Sequence, residues 1–494
     1  MARGNVTRFR LFVAVLAVLG VATALYRLEA PRAGLQISEL ELGASPARLY
    51  TGRDRQGPLV IVAHGFAGSL QMMEAYSLTL ARAGYTVVSF DFEGHGRNPV
   101  PMSGDVTAIE GTTARLVAQT RAVLAEARSV TGQTDAALLG HSMASDVIVR
   151  AAMEDPGVPA IVAISMYSEA VTATFPERLL ILTGAGEPHL RRAALAVLAQ
   201  VSPAASEGVT VQNAGIVRKA VVAPGVEHVG VLHSQTALRE ARAWLNATLP
   251  VDGGGPVVSP GPWVLLLLTA LVLLAWPLSA LLGPLRTAPP ALSARRFAAI
   301  VLVPAILTPV VVTSVGYDWL PVRVMDYLAV HLLVYGGVQL VLLGWFSARP
   351  DMPRLIPILA LVVWGLLVFG AALDRYGASF WPNSARWTLI AVLAVGAIPA
   401  MLSDSILAAG RPRGILRMLL ARLGFLGSLV LAVFLDGPPL FFLVIAVPVI
   451  LLFFLTYGLM GRWVLERSGP TSAGVGLGLI LAWAIGVSVP MFLE

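Results

Sequence analysis

The chain has 494 residues, of which 56% are hydrophobic and only 13% are charged, whereas soluble globular proteins average about 25% charged residues. Long apolar runs after residue 260 predict a soluble domain joined to a membrane domain with several spans. The net charge of +6 comes from arginines beside apolar runs, with Lys219 as the only lysine, so we do not expect nucleic-acid binding. The absence of cysteine excludes disulfides, thiolate nucleophiles and zinc–thiolate sites, and we expect neither a metal nor a cofactor.

The N-terminal segment, residues 1–34, is predicted to be a membrane anchor or a signal-like segment. An apolar run at 11–26 follows Arg3, Arg8 and Arg10, and positive residues before a span favour a cytoplasmic N-terminus. The run is shorter than the roughly 20 residues of a usual span. Ala-Thr-Ala at 22–24 resembles a signal-peptidase site, so cleavage is an alternative to a retained anchor. Both alternatives place the following domain outside the cytoplasm.

Residues 35–249 alternate short β-branched runs with longer amphipathic stretches. This order predicts an α/β domain with a mostly parallel sheet and helices on both faces. The predicted strands are 59–63, 86–91, 136–139, 160–165, 179–183 and 219–223. The predicted helices are 70–83, 108–129, 143–154, 190–200 and 235–246.

Two turns after predicted strands carry the first part of a candidate site. Gly-His-Ser-Met-Ala at 140–144 has small residues two positions before and after its serine, as a strained nucleophile elbow requires, so Ser142 is the candidate nucleophile. His-Gly-Phe-Ala-Gly at 64–68 follows a buried strand, and such a turn can present a backbone N–H to an oxyanion. The N–H groups of Phe66 and Met143 are therefore the predicted oxyanion hole.

A carboxylate and a histidine follow the last two predicted strands. Glu187 follows the penultimate strand and His228 the last one. A serine becomes nucleophilic when an imidazole takes its proton, and a carboxylate orients that imidazole. We expect Glu187 to be this acid, with Glu169, just beyond the preceding strand, as the alternative. His233 is less well placed than His228 because it lies at the start of the next helix. We expect His141 to be structural, since the elbow should point it away from the serine.

These motifs, together with Asp-Phe-Glu-Gly-His-Gly at 91–96, resemble the α/β-hydrolase superfamily. The nearest resemblance is to the branch of monoacylglycerol-lipase-like and serine-aminopeptidase-like enzymes, and it covers residues 35–249. It implies an α/β-hydrolase fold and a serine hydrolase whose triad is the serine, glutamate and histidine named above. It also implies that Asp91 and His95 shape the loop near the site without belonging to the triad.

A Pro/Gly-rich linker at 250–262 ends this domain, and a transmembrane domain of about eight helices follows at 263–494. Its apolar runs lie near 263–282, 297–315, 325–346, 355–373, 387–407, 415–435, 440–460 and 473–493. With the N-terminal run they predict about nine spans.

The charged residues between these runs predict their orientation. Alternate connections are rich in arginine and are predicted to be cytoplasmic, namely those with Arg286, Arg295, Arg296, Arg349, Arg354, Arg411, Arg413, Arg462 and Arg467. The other connections carry a sparser, balanced set, namely Asp318, Arg323, Asp374, Arg375 and Asp436. This pattern predicts a cytoplasmic N-terminus, an outer C-terminus and an extracytoplasmic hydrolase domain.

Two features within the predicted spans have a structural and a functional interpretation. His331 lies inside an apolar run with Asp326 near its outer end, and ionisable groups in membranes are candidates for function or for helix pairing. Gly474 and Gly478 have the spacing of close helix packing or, alternatively, of a dimer face. Neither feature indicates transport.

The sequence thus predicts a membrane-bound serine hydrolase that cleaves an ester, as lipases and esterases do. A serine peptidase or amidase with the same triad is one alternative, and a transporter or scaffold with an inert hydrolase domain is another. The stretch between residues 165 and 179 is too short for a cap domain. The site is therefore uncapped within this domain, and either it is open to solvent and bulky substrates or the membrane domain covers it. An amphiphilic ester or lipid whose acyl chain stays in the bilayer would suit such a site. The oligomeric state does not follow from the sequence.

Overall fold

The structure, a computed structural model, describes residues 2–52, 57–105, 108–249, 251, 254–283, 292–315, 324–346, 351–409 and 413–493. The chain divides into two compact units. The sheet unit comprises Ala24–Leu265 and Arg375–Ser379, and the helical unit comprises Met1–Thr23, Leu266–Asp374 and Phe380–Glu494. Three residues of the predicted linker, Pro250, Asp252 and Gly253, lie outside the described residues.

The sheet unit is built on a twisted run of strands. They are β1 (Leu35–Leu42), β2 (Ser45–Gly52), β3 (Leu59–Ala63), β4 (Thr86–Phe90), β5 (Met102–Ser103), β6 (Ala136–His141), β7 (Ile161–Ile164), β8 (Arg178–Gly184), β9 (Thr210–Asn213) and β10 (Ile216–Ala223). Within the described residues, all except β5 form one nine-stranded sheet in the order β1-β2-β4-β3-β6-β7-β8-β10-β9. Neighbours from β4 to β10 pair in parallel, so the predicted mostly parallel α/β fold is confirmed.

Helices cover this sheet. After α1 (Ala2–Glu29), the chain forms α2 (Glu74–Ala83), α3 (Ala114–Thr131), α4 (Met143–Ala152), α5 (Pro188–Ala199) and α6 (Gln235–Thr248). Every residue of β3, β4, β6 and β7 is buried, which requires cover on both faces of the sheet. One core combines alternate strand residues, among them Val60, Val62 and Leu139, with Leu80 of α2 and Leu245 of α6.

Three strands of the sheet, β1, β2 and β9, are missing from the sequence prediction. All three pair antiparallel, β1 and β2 at one end of the sheet and β9 at the other. The sequence of β1, Leu-Gln-Ile-Ser-Glu-Leu-Glu-Leu, largely alternates apolar and polar residues, as a strand with one solvated face does. The signal was therefore present, but weaker than that of the fully buried parallel strands.

The helical unit contains most of α1 and the remaining elements. They are α7 (Gly261–Leu278), α8 (Ala294–Val315), α9 (Met325–Trp345), α10 (Leu355–Val362), α11 (Gly370–Tyr376), α12 (Arg386–Leu407), α13 (Arg413–Leu435), α14 (Gly437–Leu440), α15 (Leu443–Ser468), α16 (Pro470–Ser488) and β11 (Phe492–Leu493). A π-helical segment, Val363–Phe369, joins α10 to α11. The helices α7 and α11 each extend a few residues into the sheet unit.

Nine helical segments of the described chain are long and apolar enough to cross a membrane. They are Val6–Arg32, Gly261–Leu281, Ala294–Val315, Met325–Trp345, Leu355–Tyr376, Arg386–Leu407, Gly414–Leu435, Leu443–Ser468 and Pro470–Ser488. These candidate spans support a membrane protein. Its orientation stays a prediction, and five of the charged residues used for it, Arg286, Asp318, Arg323, Arg349 and Arg411, lie outside the described residues.

The last predicted span needs a correction. The apolar run at 473–493 predicts a helix to the end of the chain, but α16 ends at Ser488. Val489 is extended, with φ −89° and ψ 137°, because the residue before a proline is disfavoured in helical conformation and Pro490 follows. The helix begins earlier than predicted, at Pro470, which suits the first turn because its missing N–H is not needed there.

Close packing within the helical unit explains the paired glycines of α16. A Cβ added at Gly474 would lie 2.5 Å from the Cα of Leu402, and one at Gly478 would lie 2.5 Å from the Cα of Ile398. Both contacts are with the backbone of α12, so these glycines pack two helices of one chain. His331 is fully buried and is bonded to Ser428 of α13, an arrangement that suits helix pairing.

Candidate active site

The loops that follow β6, β8 and β10 bring together the three residues predicted as a triad. The Nε2 of His228 lies 2.9 Å from the Oγ of Ser142. The Nδ1 of the same ring lies 2.6 Å from the Oε1 of Glu187. Such spacing allows the serine hydroxyl to donate to the imidazole while the imidazole donates to the carboxylate.

Ser142 has the strained backbone of a sharp strand-to-helix turn. Its φ of 54° and ψ of −117° lie outside the regions that non-glycine residues usually adopt. A Cβ added at Gly140 would lie 2.9 Å from the carbonyl oxygen of Ala144, which explains why the turn needs a glycine before the serine. Ala144 is fully buried, and its single methyl group is accommodated where a second glycine is more usual.

Glu187 accepts hydrogen bonds on both carboxylate oxygens. Besides the bond from His228, its Oε2 accepts one from the hydroxyl of Ser165 at 2.9 Å and one from the N–H of Gly184 at 2.6 Å. Burial alone would raise the pKa of Glu187, but the bond from His228, followed by those from Gly184 and Ser165, holds that pKa below its usual range. The carboxylate of Glu187 is thus ionised, and its hydrogen bonds fix its orientation. Ser165 is not among the predicted site residues, because its role depends on a contact between two neighbouring strand ends.

The competing acid, Glu169, is not brought to the histidine. Its carboxylate accepts a hydrogen bond from the hydroxyl of Tyr167 at 3.2 Å, in an exposed position. Among the described residues, the carboxylate bonded to the ring of His228 is that of Glu187. The geometry therefore favours Glu187, the first of the two alternatives.

His141 lies beside the candidate triad, in contact with His228. Its Nε2 donates to the carbonyl oxygen of His228 at 2.9 Å, and the two rings are 4.9 Å apart. Burial, and then the neighbouring charge of His228, lower the pKa of His141 to about 4. Near neutral pH, His141 is therefore uncharged, and its hydrogen bond holds the backbone of His228. This is a structural role, in line with the expectation for His141.

The loop predicted to bind the oxyanion, residues 64–68 and called the oxyanion loop below, packs directly on the elbow. A Cβ added at Gly65 would lie 3.0 Å from the Cβ of Ser142, so only glycine allows this approach. The loop turns tightly, since the N–H of Gly68 donates to the carbonyl oxygen of Gly65 at 3.0 Å. Phe66 lies in this loop. Met143 is the first residue of α4, where backbone N–H groups have no acceptor within the helix.

Two buried polar side chains, His64 and Asp91, hold the oxyanion loop and its surroundings by hydrogen bonds to the backbone. His64 donates from Nδ1 to the carbonyl oxygen of Gly65 at 2.8 Å and accepts from the N–H of Phe92 at Nε2, at 3.1 Å. Asp91 accepts from the N–H groups of Leu70 and Arg97, at 2.8 and 2.9 Å. Burial lowers the pKa of His64 to about 4 and raises that of Asp91 to about 6. Asp91 thus shapes the loop, as the family resemblance implies.

The site is open. No helix or strand occurs at 165–177, between β7 and β8, so this connection carries no cap. The side chain of His228 is 44% exposed, and Tyr167 beside the connection's start is also exposed. Among the described residues, no group of three histidine, aspartate or glutamate side chains is placed to hold a metal ion.

Comparison with known proteins agrees with this geometry. Residues 55–215 match the family model described as serine aminopeptidase, S33. The mostly parallel sheet, the strained elbow and this match to about a third of the chain support the same fold. The sheet unit has the α/β-hydrolase fold. No match to a curated protein sequence was found.

Solved structures similar to the hydrolase domain include three enzymes of low sequence identity. The predicted CIB-like hydrolase from Thermoplasma acidophilum is 14% identical, with 43% of this chain and 98% of that chain covered and a TM-score of 0.34. Est1E from Butyrivibrio proteoclasticus, solved with ferulic acid bound, is 17% identical, with 43% and 100% covered and a TM-score of 0.34. Dienelactone hydrolase from Anabaena variabilis is 15% identical, with 44% and 99% covered and a TM-score of 0.34.

Proposed function

We propose that the protein is a membrane-bound serine hydrolase that cleaves carboxylic esters, as a lipase or esterase does. The observation that carries the proposal is the position of the His228 ring, 2.9 Å from the Oγ of Ser142 and 2.6 Å from the Oε1 of Glu187. A serine hydroxyl, an imidazole and a fixed carboxylate in this order form a complete set for acyl transfer.

In the first half of the proposed reaction, the Oγ of Ser142 attacks the carbonyl carbon of the ester. His228 takes the hydroxyl proton at Nε2, and Glu187 stabilises the resulting imidazolium. The tetrahedral intermediate collapses when the carbon–oxygen bond to the alcohol breaks. His228 returns its proton to the leaving oxygen, so an alcohol departs and an acyl-enzyme remains on Ser142.

In the second half, water replaces the alcohol. His228 takes a proton from the water, whose oxygen attacks the acyl carbon, and then protonates the Oγ of Ser142 as the ester bond to the enzyme breaks. The product is a carboxylic acid, and the enzyme returns to its starting state. The 44% exposure of His228 gives water direct access to this step.

The oxyanion of both intermediates would be stabilised by the N–H groups of Phe66 and Met143. The support for Phe66 is the contact of its loop with the elbow, described above at Gly65. The support for Met143 is its place at the N-terminus of α4, where the N–H groups and the helix dipole both favour negative charge. Removing one such donor usually costs about 10² to 10³ in turnover.

The proposed substrate is an amphiphilic ester taken from the outer side of the membrane. The open site and the nine candidate spans support a lipid or small-molecule ester that the bilayer delivers. The family model matched at 55–215 is described by an aminopeptidase activity, so a peptide or amide bond is the second candidate. The lipid bilayer is the proposed partner, with the N-terminus cytoplasmic and the hydrolase domain extracytoplasmic.

A fluorophosphonate probe tests the proposed function. We expect the probe to label wild-type membranes on Ser142, and Ser142→Ala and His228→Ala to abolish both labelling and ester hydrolysis. Turnover should fall by several orders of magnitude, on the order of 10⁴-fold or more. Assays with p-nitrophenyl esters and aminoacyl p-nitroanilides separate the two candidate bonds. Equal labelling of wild type and Ser142→Ala would end the proposal.

A further inference from the structure

A short segment far along the chain belongs to the hydrolase domain. Arg375–Ser379 lies at the end of the candidate span Leu355–Tyr376 and beyond it, yet it is part of the same compact unit as the sheet. Within that unit it makes polar contacts at both of its ends. What these contacts do rests on the proposed function and extends it.

The first end of the segment is tied to the end of α1. The guanidinium of Arg375 donates to both carboxylate oxygens of Glu29, at 2.7 and 3.0 Å, and the hydroxyl of Tyr376 donates to the same carboxylate at 2.5 Å. Arg32 donates to the carbonyl oxygen of Arg375 at 3.3 Å, and its guanidinium lies 5.3 Å from the centre of the Tyr376 ring. Bidentate arginine–carboxylate pairs fix direction as well as distance.

Arg32 connects this end to the helix that follows the oxyanion loop. It donates to the carboxylate of Glu74 at 2.5 Å. Glu74 is the first residue of α2 and only 3% exposed. A buried carboxylate needs such a partner. Because Arg32 bonds to both Glu74 and Arg375, it holds the start of α2 next to the segment.

The second end of the segment reaches the residue that follows the oxyanion loop. The N–H of Ser379 donates to the Oγ of Ser69 at 3.0 Å. Both residues are buried, Ser69 with 2% and Ser379 with 8% exposure. Ser69 directly follows Gly68, the last residue of the loop, and the next residue, Leu70, is held by Asp91. The end of the loop is therefore fixed by Asp91 and by the segment.

We infer that Arg375–Ser379 is a positioning segment for the oxyanion loop. By holding Ser69 it keeps the N–H of Phe66 where the oxyanion forms. None of its residues needs to touch the substrate. Because a preorganised donor acts on the transition state much more than on the bound substrate, loosening the segment should lower kcat and leave KM nearly unchanged.

The direct test changes the acceptor. In the full-length protein, Ser69→Ala removes the Oγ, whereas Ser69→Thr keeps it on a β-branched side chain that suits the extended backbone at this residue, with φ −158° and ψ 167°. With a p-nitrophenyl ester, we expect kcat to fall about tenfold in Ser69→Ala, less than for the loss of a whole donor. KM should stay within a factor of about two, and Ser69→Thr should recover most of kcat.

A second set of variants keeps the inference testable if Ser69→Ala folds poorly. Arg375 and Glu29 are roughly half exposed, with side-chain exposures of 53% and 42%, and exposed pairs contribute little to global stability. Arg375→Gln should therefore fold and lower kcat, by less than Ser69→Ala. In the Ser69→Ala background it should lower kcat no further, because the contact that it supports is already lost. The matched control is Arg128→Gln, which breaks the 2.6 Å pair with Asp155 away from the loop and should leave kcat unchanged.

The outcomes separate this inference from the proposed function. If Ser142→Ala abolishes hydrolysis while Ser69→Ala and Arg375→Gln keep wild-type kcat, the inference about the positioning segment is wrong and the proposed function stands. If Ser142→Ala hydrolyses the ester as fast as wild type does, the proposed function fails and the inference fails with it. Multiplicative losses in the double variant would show that the two residues act independently and would also overturn the inference.

Discussion

At the scale of single residues, the choice between two glutamates decides how His228 is oriented. Glu187 accepts from the ring of His228, from Ser165 and from Gly184, whereas Glu169 accepts from Tyr167. Glu187→Gln keeps the shape but loses the charge that stabilises the imidazolium. We expect kcat for ester hydrolysis to fall by roughly 10⁴-fold in Glu187→Gln.

Glu169→Gln is the matched control for this prediction. It makes the same chemical change on an exposed carboxylate of the neighbouring loop, and its kcat should equal that of wild type. If the ranking of the two variants were reversed, the acid would belong to the end of β7 and the roles of Ser142 and His228 would stand.

The lowered pKa values of two buried histidines predict that the stability of the hydrolase domain decreases as the pH falls. The pKa values of His64 and His141 are about 4, lowered mainly by burial, against 6.5 in the unfolded chain. Between pH 6.5 and 4 the unfolded chain therefore binds protons that the native domain does not, so each histidine removes up to about 1.4 kcal/mol of stability per pH unit as the pH falls. Asp91 acts in the opposite direction, because its pKa of about 6 exceeds the usual 3.8, but one carboxyl does not outweigh two imidazoles.

The variant His64→Asn tests this pH dependence. Asparagine can keep a donor near the Nδ1 position of His64, which bonds to Gly65, and it does not titrate. Urea unfolding of the detergent-solubilised protein, followed by intrinsic fluorescence from pH 7 to pH 4.5, should show a steeper loss of stability in wild type than in His64→Asn. Parallel slopes for the two proteins would mean that burial does not lower the pKa of His64 in the native state.

At the scale of elements, the sequence predicts the buried parallel strands best. The predicted strand at 59–63 coincides with β3, and β4, β6, β7 and β8 start or end within two residues of their predicted bounds. Continuous β-branched runs between turn residues are a strong signal because both faces of such strands are buried. The strands β1, β2 and β9 pair antiparallel towards the ends of the sheet. Exposed residues interrupt β1 and β9, and β2 contains proline, arginine, threonine and glycine, so none of the three is a continuous apolar run.

The candidate site also contains residues that could be predicted from the sequence and residues that could not. The elbow, the acid and the histidine each follow a predicted strand, and parallel strands end at one edge of the sheet, so their meeting could be predicted. The roles of Ser165 and Ser69 could not, because each depends on a hydrogen bond across 22 or 310 residues of sequence. The bond from His141 to the backbone of His228 could not be predicted either, because it joins residues that are 87 positions apart in the sequence.

At the scale of the whole molecule, hydropathy predicts the number of spans but not all of their ends. A span's centre is determined by burial in hydrocarbon, which any apolar run satisfies. Its end is determined by backbone hydrogen bonds and by proline, as Pro490 illustrates for α16. The apolar run at 11–26 is short, but the helix that contains it, α1, is 28 residues long, since polar residues at both ends continue the same hydrogen-bonding pattern.

The orientation of these spans is the last prediction. Arginines before the first span and on alternate later connections predict a cytoplasmic N-terminus, because positive residues are retained on that side. The first span then puts the hydrolase domain outside. The number of candidate spans in the described chain is nine, an odd number, which puts the C-terminus outside as well. Alkaline phosphatase fused after Pro250 and after Glu494 should be active, and a fluorescent protein that matures only in the cytoplasm should stay dark at both sites. Fluorescence after Pro250 would reverse the orientation and make the substrate a cytoplasmic one, whereas fluorescence after Glu494 alone would mean that one of the later helices does not cross the membrane.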